Sequence, residues 1–150
     1  MDGKYQLTLL YAPDSKELQK LADAVTQSFK QKDVTASAKP ASTSGIPDIL
    51  ASDVILFGLA GQDIDPKKTD FAEMFRAFRG INLAGKFAGL LVIDDNDSPA
   101  IFRDALKDTD IDIFTEELAV SSTDFKRARI RSWARKLHRW VKDLTVESLL

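Results

Sequence analysis

Apolar positions along this chain fall into two rhythms: short unbroken apolar runs, and longer stretches with apolar residues three and four apart. Residues 5–11 (YQLTLLY) are rich in strand formers and stop at Ala12-Pro13. From Ser15 to about Lys32, Leu18, Leu21, Ala22, Val25 and Phe29 recur at helical spacing and leave Lys16, Glu17, Lys20 and Lys30 outside. Residues 34–38 predict a second, weaker strand closed by Pro40. A small polar loop (Ala41-Ser42-Thr43-Ser44-Gly45) and a short helix over 46–51, with Pro47 in its first turn, come next. Val54-Ile55-Leu56-Phe57 is continuously apolar, as a strand buried on both faces requires.

The alternation repeats in the second half. Phe71, Met74, Phe75 and Phe78 form a helical stripe ended by Gly80, and residues 87–93 (FAGLLVI) predict another buried strand. Ser98-Pro99 predicts a helix through Phe102, Ala105 and Leu106, with Ser98 as cap and Pro99 at the first position. Residues 113–120 offer a fifth strand interrupted by Glu116 and Glu117. Phe125, Ala128, Trp133, Leu137, Trp140, Val141 and Leu144 define the apolar face of a final helix. Strands alternating with helices predict one α/β domain spanning 1–150, a parallel sheet covered on both faces.

Composition narrows the function classes. A content of 44% hydrophobic and 29% charged residues is that of a globular chain, not a disordered one. With no cysteine there is no disulfide framework, thiolate metal site or cysteine nucleophile. No apolar run is long enough for a membrane span and the first residues lack a signal-peptide pattern, so the expected location is cytoplasmic. The net charge of −2 conceals an asymmetry. From Asp124 onward eight Lys and Arg residues face three acids, a net of +5, which leaves −7 on the rest of the chain. Such a dipolar chain orients a charged partner or another copy of itself.

Three segments carry a family resemblance. Ser52-Asp53-Val54-Ile55-Leu56-Phe57-Gly58 is similar to the third strand of flavodoxins, where an acid precedes an apolar run ending in glycine. Ile81-Asn82-Leu83-Ala84-Gly85-Lys86-Phe87 resembles the Leu-x-Gly-Lys approach to their fourth strand. Asp95-Asn96-Asp97-Ser98 stands where flavodoxins place a loop along the flavin ring. The resemblance runs from about Tyr5 to Leu144 and implies a three-layer, flavodoxin-like sandwich. Its five-stranded parallel sheet has the order 2-1-3-4-5, with a ligand edge at the carboxyl ends of the strands. It also implies that flavin contacts would fall on Asp14, Ser15 and Lys16, on Ala60, Gly61 and Gln62, and on Asp95, Asn96 and Asp97.

The loops depart from that pattern. Flavodoxins follow the first strand with a Ser/Thr-x-Thr-Gly-x-Thr phosphate loop; here Pro13, Asp14, Ser15, Lys16, Glu17 and Leu18 stand instead. One hydroxyl remains, proline removes a donor, and two carboxylates would repel a phosphate dianion. Asp14 and Glu17 have the spacing of a capping box, with Asp14 as N-cap. After Gly58 the family places an aromatic that stacks on the flavin; here no aromatic follows until Phe71, which belongs to the helical stripe.

Other chemistry finds little support. Asp94, Asp95, Asn96 and Asp97 are oxygen donors suited to hard cations, yet lack the glycine and terminal glutamate of a calcium loop and read as turn and cap residues. A receiver domain needs its paired acids after the first strand, not the fourth. His138, the only histidine, lies among Arg135, Arg139 and Lys142 and reads as a surface residue. No P-loop, H-E-x-x-H or dinucleotide fingerprint appears.

The expected function is therefore a non-catalytic binding or regulatory module that has lost the usual FMN site and uses no cofactor. The alternative is an electron carrier holding FMN by atypical contacts, such as main-chain N–H groups from Ser15 to Leu18. The expected partner surface is the final helix, through Lys126, Arg129, Arg131, Arg135, Arg139 and Lys142. It suits an acidic protein, an anionic surface or self-association, and nucleic acid is disfavoured by the acidic body.

Overall fold

The computed structural model describes residues 4–30, 33–60, 70–94, 97–121 and 125–149. Among these residues six strands build one parallel sheet: β1 (Tyr5–Ala12), β2 (Val34–Pro40), β3 (Val54–Ala60), β4 (Phe87–Ile93), β5 (Asp112–Ile113) and β6 (Leu118–Val120). Their order is β2-β1-β3-β4-β5, with β6 also paired to β4, so the predicted topology holds and the fifth strand is split in two. Asp112 and Ile113 flank Phe87 and Ala88, and pairing resumes at Leu118 opposite Leu91. Residues 114–117 therefore bulge out opposite Gly89 and Leu90. The interruption lies where Glu116 and Glu117 break the apolar run.

Helices α1 (Lys16–Phe29) and α5 (Arg127–Leu149) cover one face of the sheet. Leu18, Leu21, Val25 and Phe29 of α1 and Ile130, Trp133, Leu137 and Val141 of α5 pack there with Leu7, Leu9, Leu56 and Leu91. The predicted face of the last helix needs one correction. Ala128 is exposed, and Ile130 and Ala134 occupy the core instead, because they share the direction of Trp133 and Leu137 around the helix.

The other face carries α2 (Ile46–Leu50), α3 (Ala72–Ala77) and α4 (Ser98–Leu106). Phe57 of β3 lies at its centre, stacked on Phe102 with ring centroids 5.2 Å apart and edge-on to Phe71 and Phe78. Phe71 is fully buried in this cluster, as the helical stripe predicts. For α4 the predicted cap shifts by one residue. Asp97 is the N-cap, Ser98 is already wound and buried, and Pro99 occupies the second helical position, where its missing N–H also goes unneeded.

The Leu-x-Gly-Lys segment has a structural task. Gly85 has φ +86°, a left-handed conformation that glycine adopts without a Cβ clash. The turn delivers Lys86 Nζ to the carbonyl oxygens of Leu50 and Ser52, at the carboxyl end of α2. Among the described residues no helix is long and apolar enough to cross a membrane.

Candidate functional site at the carboxyl edge and the basic helix

The carboxyl ends of β1, β3 and β4 lie side by side along one edge of the sheet. The first loop is built as a helix start. Ser15 has extended backbone (φ −116°, ψ 157°), and its Oγ accepts from the Leu18 N–H at 3.3 Å, which makes Ser15 the N-cap. This corrects the expected Asp14–Glu17 capping box. Asp14 lies one residue too early to cap, and its carboxylate accepts from Gln19 Nε2 at 2.7 Å. Glu17 falls at the second helical position, where its charge complements the helix dipole but cannot close a box. Lys16 opens the helix and is exposed.

Around this loop the electrostatics are acidic. Tyr11, buried at the end of β1, has its phenol pKa raised by burial first and then by Asp14 and Asp23. Ala60 ends β3 as a buried residue, while Gly61 and Gln62 lie outside the described residues. So do Asp95 and Asn96; Asp94 and Asp97, which flank them, are both exposed. Asp94 takes a left-handed conformation (φ 53°), which a short polar side chain tolerates, and its N–H donates to Val120 O. Asp70 and Glu73 stand exposed at the start of α3. They border a groove of about 480 Å³ that Ser42, Ser44 and Gly45 line from the β2 side. Among the described residues no three His, Asp or Glu side chains gather as a metal site.

The basic helix resolves into two flanks. Arg127, Arg131, Arg135 and Arg139 follow one another at intervals of four, all exposed. Among the described residues no carboxylate pairs with any of the four. Arg129 lies on the other flank near Lys136, whose Nζ is 3.5 Å from Glu116. Lys126 precedes the helix and Lys142 is half-buried. The expected surface omitted Arg127, although its spacing from Arg131 was there to be read. A groove of about 400 Å³ lined by Lys20, Asp23, Gln27, Phe125, Arg127 and Ile130 opens between α1 and the head of this row.

His138 is not the surface residue expected. It is half-buried, and its Nδ1 lies 2.6 Å from the hydroxyl of Tyr5, at the amino end of β1. Burial pushes the Tyr5 phenol pKa well up. The pair ties α5 to the first strand on the side of the sheet away from the acidic edge. Both tryptophans belong to the packing: Trp133 Nε1 donates to Glu116 O at 2.8 Å, and Trp140 packs between Phe87 and Phe114.

No family model matches the sequence, and no curated protein sequence does. Solved structures do resemble it. A short-chain flavodoxin associated with a non-canonical PDU bacterial microcompartment has a TM-score of 0.76 at 15% identity, covering 91% of this chain and 98% of its own. The flavodoxin of Streptococcus pneumonia TIGR4 has a TM-score of 0.74 at 14% identity, covering 88% and 97%. A Fusobacterium nucleatum flavodoxin bound to flavin mononucleotide has a TM-score of 0.63 at 12% identity, covering 90% and 98%. The match spans these chains almost end to end with the same strand order, so this chain has the flavodoxin-like fold.

Proposed function

We propose that this protein is a flavodoxin-like binding module whose first loop no longer serves a flavin phosphate and whose working surface is the arginine-bearing face of α5. One observation carries the reading: the only hydroxyl left in the first loop caps its own helix. Ser15 Oγ is engaged on the Leu18 N–H, and the Asp14 carboxylate is held beside the same turn by Gln19. A phosphate dianion there would displace the cap and meet Asp14 and Glu17 at short range. These residues do not fit the group.

The second reading, an FMN electron carrier, draws support from the retained frame and from the flavin-bound neighbour of similar fold. Its proposed main-chain contacts are partly committed: the Ser15 N–H donates to Pro13 O and the Leu18 N–H to Ser15 Oγ. Titration of the purified protein with FMN, read by flavin fluorescence and calorimetry, separates the two. We expect no saturable binding up to millimolar FMN. Micromolar or tighter binding overturns the module reading and makes the potential of the bound flavin the next measurement.

A further inference from the structure

We propose that the arginine row of α5 docks head to tail on the acidic carboxyl edge of a second copy of this chain. The inference rests on the reading of α5 as the working surface and names its partner.

The row itself calls for a counter-charge. Arg127, Arg131, Arg135 and Arg139 rise by about 6 Å per step, so the row is about 18 Å long. Each neighbouring pair repels, since residues four apart are adjacent on a helix surface. Arg127 also places a positive charge at the end of the helix where the dipole is positive. Among the described residues no carboxylate forms an ion pair with any of the four, and Asp143, four residues after Arg139, adjoins only the end of the row. Arg127, at the head of the row, lines a groove with Asp23 of α1, while Arg135 and Arg139 lie opposite Ile130, Trp133, Leu137 and Val141 and so face away from the sheet.

The edge matches the row in sign and size. Asp14 and Glu17 follow β1 with Lys16 between them, Asp94 and Asp97 flank the loop after β4, and all five are exposed, four acids against one base. A single strand, β3, separates β1 from β4. The two acidic loops are therefore about 10 Å apart along the edge. Arg131 and Arg139 are about 12 Å apart along the helix. One copy's row thus spans the other copy's two acidic loops. Because the two surfaces differ, the contact is heterologous: a docked pair leaves one row and one edge undocked, and association proceeds in steps. It also covers the edge, so a ligand bound there and a docked copy exclude each other.

The test is sedimentation velocity of the full chain over a range of concentrations, in about 20 mM and about 500 mM salt, where screening lengths differ severalfold. At low salt the average mass should rise with concentration, and at high salt it should return to the monomer. Two variants neutralise the two surfaces separately: Arg131→Ala with Arg135→Ala, and Asp14→Asn with Glu17→Gln and Asp94→Asn. Each alone should stay monomeric at low salt with an unchanged circular dichroism spectrum. Mixed, they should form a complex that stops at one-to-one, since only one intact row and one intact edge remain. A wild-type chain that stays monomeric at low salt overturns the proposal, as does association that survives either variant. In that event, vesicles containing phosphatidylserine and a polyglutamate peptide are tested against the arginine variant. Arginine-dependent binding to either keeps α5 as the working surface with a different partner; binding to neither removes that reading as well.

Discussion

Gly89 shows how one residue sets the spacing of a whole layer. A Cβ placed on it would lie 2.7 Å from Leu56 Cδ2, 2.8 Å from Leu137 Cδ1 and 3.3 Å from Trp133 Cη2. Helix α5 packs this close to β4 only because nothing projects between them. Gly89→Ala should destabilise the fold by about 1–3 kcal/mol through overpacking, seen as a lower urea midpoint with an unchanged m-value. Tyr5 gives a second residue-scale expectation, on pH. Its phenol is buried beside His138, so the folded state holds the proton to higher pH than the unfolded chain, whose value is near 10.0. The resulting stability is complete below that value and is lost as pH rises above it. The Tyr11 shift has the same sign. Urea midpoints should fall steeply above about pH 10, and Tyr5→Phe should flatten that fall by removing the ionising group.

At the scale of elements, the broken edge strand is the feature that needs support. The bulge over 114–117 gives up ladder hydrogen bonds, and side chains from both layers replace them. From α4, Arg103 donates to the carbonyl oxygens of Phe114 and Thr115, each at 3.1 Å, and reaches Glu117 at 3.3 Å. From α5, Trp133 donates to Glu116 O. The Glu117 pair is partly exposed and adds little, so the two carbonyl contacts matter most. Arg103→Met keeps the aliphatic stem and removes those donors. We expect a loss of about 1–2 kcal/mol, with faster amide exchange confined to the bulge and its neighbours in β5 and β6 and none in β1.

At the scale of the whole molecule, two described surfaces carry opposite charge: an acidic edge at the carboxyl ends of the strands, and an arginine row that faces outward from one layer. Stability alone would favour a different row. Arg135→Glu converts two repelling neighbours, Arg131 and Arg139, into attracting ones. It should raise stability by about 0.8–2 kcal/mol, a shift of a few degrees in thermal midpoint. The same substitution should weaken self-association at low salt. A gain in stability with a loss of association would mark the row as a surface kept for binding. A gain in stability with association unchanged would leave it as solvated charge.

Much of this architecture was legible in the chain itself. Continuous apolar runs at 54–57 and 87–93 specify strands buried on both faces, and the stripe from Phe71 to Phe78 specifies a helix, because each depends on local periodicity alone. The break in the fifth strand was visible as Glu116-Glu117. Three things were decided only by tertiary structure. The N-cap passed from Asp14 to Ser15 because capping depends on which residue takes the extended backbone, not on spacing. His138 moved from surface to partner because Tyr5, 133 residues away in sequence, meets it across the layer. The basic patch became a single row of four arginines plus an opposite flank, because packing of Ile130, Trp133 and Leu137 fixed which side of α5 faces water. Local pattern determines elements and their order; which side chains meet, and which charges are left facing outward, depends on contacts between residues far apart in the chain.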